Sequence, residues 1–296
     1  MLPDRSIVVV LGKGGVGRTT VAHALAIALA GPGREVALVE VNGATALAEA
    51  AGVPARQAPQ RVATGVDLLS LTTAGCLAEY AADRVGSVPL VTWLFRRRIV
   101  RALLAAIPGL VDLVHHGKIH SLLDHPGPRG TPYDVVVVDA PATGHGVAFL
   151  ETPAAVAAMT RIGPLHEEAL AIARRLADPA RTAAVVVTLA EALPAAEAVE
   201  LTAGLGPTLA AVVVNRAAAD PFDAVAWPTV RASLADPALV AVGDRLAARL
   251  AAQARATARL AGGLAAAGVH PPIVALPALS RPDPRALAAA LARGLP

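Results

Sequence analysis

Residues 12–20 read GKGGVGRTT, directly after the apolar run IVVVL at 7–11. Glycines 14, 15 and 17 let successive backbone N–H groups converge on an anion, and a helix starting behind them adds the positive end of its dipole. Thr19 is spaced to offer its hydroxyl to Mg2+, and Thr20 to meet the α-phosphate of a nucleotide. A strand, a glycine loop and a helix in this order form a phosphate-binding loop, here built from Gly14, Gly15, Val16, Gly17, Arg18, Thr19 and Thr20. Arg18 stands where such loops carry a lysine. A second candidate lies far along the chain, where Asp139 ends the run VVVV at 135–138. A carboxylate at the end of a strand can hold the Mg2+ shell through water.

The elements that must position these groups are legible as valine runs. SIVVVL (6–11), EVALVEV (35–41), VDLLSL (66–71), YDVVVVDA (133–140), TAAVVVTL (182–189), LAAVVVNR (209–216) and PIVALP (272–277) lack alternation, as strands covered on both faces do. Helical patterns lie between them, among them 19–30, 195–205 and 240–268. The fold class is therefore α/β: a P-loop NTPase with a doubly wound, mostly parallel sheet. Residues 74–125 show no strand pattern and read as helices, including 89–114, which predicts a helical subdomain inserted in a single domain spanning 1–296.

Composition removes several other classes. The net charge of +3 and a pI near 9.6 come from scattered residues, and the one tight cluster, Arg96-Arg97-Arg98, reads as a solvated helix face. Aromatics make up 2% of the chain, too few for a base-stacking platform, so no nucleic acid is expected. Cys76 is the single cysteine, which rules out an intrachain disulfide framework and a multi-cysteine zinc site, and fits a cytoplasmic protein. Mean hydropathy is +0.55, much of it alanine, and no uncharged apolar run is long enough to span a bilayer. The opening residues do not read as a signal peptide. His115, His116 and His120 have no carboxylate or cysteine at ligand spacing and read as a polar helix face rather than a metal site.

Two motifs carry a family resemblance. The KGG opening of KGGVGRTT resembles the deviant Walker A loop of the ParA, MinD, nitrogenase-iron-protein and ArsA group of dimeric ATPases. The segment DAPATGHGVAFL (139–150) is similar to the DTAPTGHTLR switch II of the ArsA-type branch, the arsenite-pump and guided-entry targeting ATPases. The likeness continues through VTLAEALPAAEAVEL (187–201), VVVNR (212–216), LPALSRPDP (276–284) and IPGLVDLVHHGKI (107–119), and so covers nearly the whole chain. The resemblance implies ATP and Mg2+ as cofactors and Asp139 as the Walker B carboxylate. It further implies that Lys13 reaches the partner's nucleotide across a dimer interface, that Asn215 reads adenine, that the loop beginning at Pro277 closes over the base, and that Thr143, Gly144 and His145 belong to switch II.

Three positions depart from that pattern. Arg18 keeps the charge of the phosphate lysine, but its planar guanidinium is longer and differently shaped. Asn42 falls where the family places the aspartate that orients the attacking water, and an amide cannot accept a proton as a carboxylate can. Cys76 alone cannot supply the cysteine cluster of arsenite-stimulated relatives. Two functions stay open: a dimeric, slowly hydrolysing switch ATPase acting on a protein client, and a non-hydrolysing nucleotide-binding subunit paired with an active paralogue. Catalytic candidates are Lys13, Arg18, Asn42 and Asp139, with Thr19 and Asp139 at the metal. The dimer is with itself or with that paralogue, and residues 74–125, including Trp93, either form a client groove or pack internally. A ParA-like DNA partition ATPase fits the basic pI but conflicts with DAPATGH.

Overall fold

In the computed structural model, residues 4–85, 109–126, 130–141, 146–219 and 226–295 are described. They form eight strands, β1 (Ile7–Leu11), β2 (Val36–Glu40), β3 (Gln60–Ala63), β4 (Val66–Ser70), β5 (Val135–Asp139), β6 (Thr182–Leu189), β7 (Leu209–Ala217) and β8 (Ile273–Pro277). These join into one sheet of order β3-β4-β2-β5-β1-β6-β7-β8, parallel except for the β3–β4 pair. The seven valine-rich runs thus become the seven parallel strands, but β8, at one edge of the sheet, is not covered on both faces as expected: Val274 and Leu276 are buried while Ala275 and Pro277 are exposed. The eighth strand, QRVA, is short, half-buried and at the sheet edge, so its sequence lacks the apolar run that marks the others.

Every residue of β1, β2 and β5 is buried because both faces of the sheet are covered. Alternate side chains feed two cores. Ile7, Val9 and Leu11 join Val136 and Val138 on one face, whereas Val8 and Val10 join Val135 and Val137 on the other. The first core is completed by α4 (Leu110–Asp124), α5 (Gly146–Thr160), α6 (Pro164–Ala177), α7 (Ala192–Thr202) and α9 (Pro237–Ala266). The second is completed by α1 (Arg18–Leu29), α2 (Ala46–Ala51) and α10 (Pro284–Gly294). α3 (Thr73–Val85) packs on α4, and α8 (Trp227–Ser233) packs on α9.

After β1 the chain crosses to β2 on one side of the sheet; after β5 it continues to β6 on the other. β1 lies between β5 and β6, so the carboxyl end of β1 is the crevice where an open α/β sheet receives its ligand. α1 starts there, and burial of Val21, Leu25 and Leu29 against the sheet fixes it, at roughly 1.5–3 kcal/mol per such side chain.

Of the helical stretch expected over 74–125, α3 and α4 are described, while 86–108, with Trp93 and Arg96-Arg97-Arg98, lie outside the described residues. The helix read over 89–114 does not pass through Gly109: that residue takes φ 76°, a left-handed conformation, and caps a new helix at Leu110. The histidines of α4 need a correction. His115, His116 and His120 do not form a polar outer face; all three are buried, beside Leu113, Ile119 and Leu122 of the same helix. α4 lies against β5, α5 and α6 as well as α3, so little of its circumference is left for solvent. Among the described residues, no helix is long and apolar enough to cross a membrane.

Candidate functional site

The loop after β1 is held from below and from the side. A Cβ on Gly12 would collide with the carbonyl of Val187 on β6, so only glycine lets the loop leave the strand this close to its neighbour. Gly17 takes φ 91° and caps α1, and a Cβ there would collide with Nδ2 of Asn215. That contact reflects a brace. Asn215, buried at the end of β7, donates from Nδ2 to the Val16 carbonyl at 2.9 Å and accepts the Arg216 N–H on Oδ1 at 2.9 Å. The residue expected to read a base thus ties β7 to the phosphate loop. Gly14 and Gly15 are exposed at the loop's crest, and Thr19 and Thr20 are half-buried in the first turn of α1.

Arg18 begins α1, but its side chain is turned into the floor of the site. Nη1 donates to the carbonyl of Gly12 at 3.0 Å and of Pro141 at 2.7 Å, and Nε lies 4.0 Å from Oδ1 of Asp139. Burial lowers its pKa and the Asp139 charge opposes the shift; an arginine remains protonated in either case. The guanidinium therefore bridges the start of the loop to the segment that follows β5.

Asp139 is in register with Val10 of β1 and Glu40 of β2, which sets its carboxylate beside α1. Its Oδ2 accepts the hydroxyl of Thr19 at 2.8 Å, while Oδ1 is buried without a hydrogen-bond partner. Burial pushes its pKa up, opposed by the Thr19 hydrogen bond and the Arg18 charge. A hydroxyl and a carboxylate hydrogen-bonded across two elements, with one buried carboxylate oxygen left over, match the hard oxygen ligands that Mg2+ prefers. Thr19 and Asp139 would hold such an ion beside the phosphates.

The remaining predicted residues surround this centre. Lys13 is partly exposed, and its Nζ lies 3.5 Å from Oε1 of Glu197 on α7. Asn42 is exposed in the loop after β2, with φ 60°, beside Gly43 at φ 70°. Pro277 ends β8 in register with Ala217 and is exposed. Thr143, Gly144 and His145 lie outside the described residues.

Two carboxylates here escaped the sequence reading. Glu40 is buried next to Asp139 in the sheet, where Oε1 accepts the Ser70 hydroxyl and Oε2 accepts the Leu47 N–H at 2.9 Å. It therefore ties β4 and α2 to the end of β2 and fixes both ends of the loop carrying Asn42. Its signal was weak: a polar residue inside the run VALVEV, otherwise fully buried. Glu197, the ion-pair partner of Lys13, has no sequence signal, since 184 residues separate the two and only the fold brings them together.

The fold thus brings a strand-coupled glycine loop, a threonine at the helix start and a strand-end aspartate hydrogen-bonded to it together at the carboxyl end of β1. Residues 5–176 match the sequence profile of the anion-transporting ATPase (ArsA) family. The chain belongs to this family. Among similar proteins, the ATPase BagA of Mycobacterium tuberculosis is 34% identical over 229 residues, 70% of this chain and 64% of BagA. A protein of Aquifex aeolicus carrying the name arsenical pump-driving ATPase 2 is 29% identical over 147 residues, 48% of this chain and 47% of the relative. This ArsA-family chain thus matches only 64% of the length of its mycobacterial relatives.

Proposed function

We propose that this chain binds ATP with Mg2+ at the loop 12–20 and hydrolyses it slowly, using the nucleotide to switch a protein-binding surface. The observation that carries the reading is the Thr19–Asp139 hydrogen bond beside a glycine loop that ends in the left-handed cap of α1 at Gly17. The glycine-loop N–H groups cradle the phosphates and need no particular side chain at position 18. When bound, Mg2+ neutralises charge that develops on the phosphate oxygens. Thr19 and Asp139 hold its shell, and Arg18 steadies the loop against the Pro141 carbonyl while keeping a positive charge beneath the phosphates.

Hydrolysis needs a correctly held γ-phosphate and an oriented water. Arg18 commits Nη1 to two protein carbonyls, and Asn42 offers an amide where a base belongs. Loss of a general base costs about 10²–10⁴ in rate. These two residues also favour the second reading, a nucleotide-binding subunit that pairs with a hydrolytically complete paralogue. The dimer, with itself or with that paralogue, places Lys13 at the partner's nucleotide. Arsenite transport, a reading prompted by the Aquifex relative's name, is disfavoured: Cys76 is the only cysteine of the chain and is buried, so one chain offers no cysteine cluster to a metalloid.

Turnover measured with ATP affinity, on the protein alone and with a co-encoded paralogue, separates these readings. ATP binding with slow turnover alone supports the switch ATPase; binding with turnover only in the mixed complex supports the paired subunit; absence of ATP binding overturns both.

A further inference from the structure

α9 is pinned to the body at two places. Gly243 lies against the Trp227 ring so closely that a Cβ would overlap it, and Leu260 and Leu264 are buried in the first core. Between these points the helix bridges a cleft of about 610 Å3 rather than filling it, because its inward positions are largely alanines such as Ala247 and Ala254. Val214 and Ile273 of the sheet, Trp227 and Leu250 make the other walls, and Gln253 and Thr257 are its polar side chains. The cleft is open to the surface, and its volume falls within the range of small-molecule sites.

At one end the cleft changes character. A smaller recess of about 360 Å3 shares Ala190 and Gln253 with it and is lined by Arg216, Arg249 and Glu191, two guanidinium groups against one carboxylate. Arg249 is exposed and, among the described residues, has no carboxylate partner. An apolar chamber that opens beside an uncompensated guanidinium is complementary to a molecule with an apolar chain and an anionic head.

We propose that the cleft under α9 binds a single-chain anionic amphiphile of the fatty-acid class, its chain against Trp227, Leu250 and Ile273 and its carboxylate on Arg249. The apolar part contributes by removing exposed hydrophobic surface from water, and the head by a charge-assisted, bidentate contact with the guanidinium. The recess is also lined by Asn215, which braces the phosphate loop, so binding is tested without nucleotide.

The chain has two tryptophans, so Trp93→Phe leaves Trp227 as the reporter within the cleft. Dodecanoate, kept below its micelle concentration, is titrated into that variant while Trp227 emission is followed, with stoichiometry taken from calorimetry. Saturation at one equivalent is expected. Ala254→Phe, which fills the chamber, should weaken binding at least tenfold. Arg249→Ala should weaken dodecanoate at least fivefold and leave dodecanol unchanged. Should Ala254→Phe fail to fold, as judged by its thermal transition, Ala251→Leu takes its place. Absence of saturation, many equivalents bound, or indifference to the filled chamber would overturn the proposal. So would a cleft variant that changes the sedimentation of the ligand-free protein while dodecanoate does not bind, since the cleft would then be a contact between protein chains.

Discussion

Arg18 and Asn42 stand where the family resemblance places a phosphate lysine and a water-orienting aspartate. Arg18 is longer than the lysine it replaces and uses that length to reach both the Gly12 and Pro141 carbonyls, which a lysine amine would do less readily. Asn42 occupies a left-handed position, a conformation that asparagine and aspartate both tolerate, so Asn42→Asp adds a carboxylate without redirecting the loop. Arg18→Lys restores the phosphate contact but leaves water without a base, and Asn42→Asp does the reverse. Either change alone should therefore gain little, while the double variant should hydrolyse ATP at least about tenfold faster than its parent, roughly 1.4 kcal/mol of barrier. Steady-state turnover at saturating ATP and Mg2+ checks this, and a double variant no faster than the parent means that the site uses another arrangement. Asp139 and Thr19 were legible because strand, loop and helix punctuate the sequence around them. Glu40 and Glu197 were not, because their roles depend on register and on helix placement that a single chain pattern does not specify.

At element scale, α4 shows where sequence periodicity misleads. Three histidines in one turn and a half look hydrophilic, yet the helix is apolar on several sides and the sheet, α5 and α6 enclose it. Neutral imidazoles are tolerated there: His116 Nε2 bonds the Phe149 carbonyl at 2.8 Å, and its ring lies 4.1 Å from that of Phe149. Burial lowers the pKa of His115 to about 4, of His116 to about 3 and of His120 to about 4, from an ordinary value of 6.5. The folded state excludes protons that the unfolded chain takes up below pH 6.5, so stability must fall as pH drops through the window from 6.5 to about 4. The slope for three such groups approaches about 4 kcal/mol per pH unit in the middle of that window. His115→Leu should remove about one proton's share, near 1.4 kcal/mol per pH unit, measured as the pH dependence of urea unfolding. An unchanged slope would mean that His115 is charged or exposed in the folded protein. By contrast the inner parallel strands were legible, since a strand buried on both faces needs an unbroken apolar run, whereas the edge strands β3 and β8 are covered less fully and need none.

At the scale of the whole molecule, the ion pair between Lys13 and Glu197 bears on assembly. Both side chains are partly exposed, and such pairs contribute about 0–1 kcal/mol, so Glu197 holds Lys13 weakly within its own chain. If Lys13 serves the partner's nucleotide, it must leave Glu197 when the dimer closes. Lys13→Ala should then preserve folding and most nucleotide binding but weaken ATP-dependent dimerisation, whereas Glu197→Gln should strengthen dimerisation by up to about fivefold. Sedimentation with and without ATP distinguishes them; an ATP-bound dimer indifferent to Lys13→Ala removes the cross-interface role.

We propose that the loop at 12–20, with Thr19 and Asp139, is a working ATP·Mg2+ site. It is tested most directly by ATP affinity measured with Mg2+ and with EDTA, for the wild type and for Asp139→Asn. The predicted result is wild-type ATP binding that tightens with Mg2+, and a variant that binds ATP equally with and without the ion. Wild-type affinity indifferent to Mg2+, or no ATP binding at all, would contradict the assignment of the hydrogen-bonded Thr19–Asp139 pair as the metal-holding part of the site.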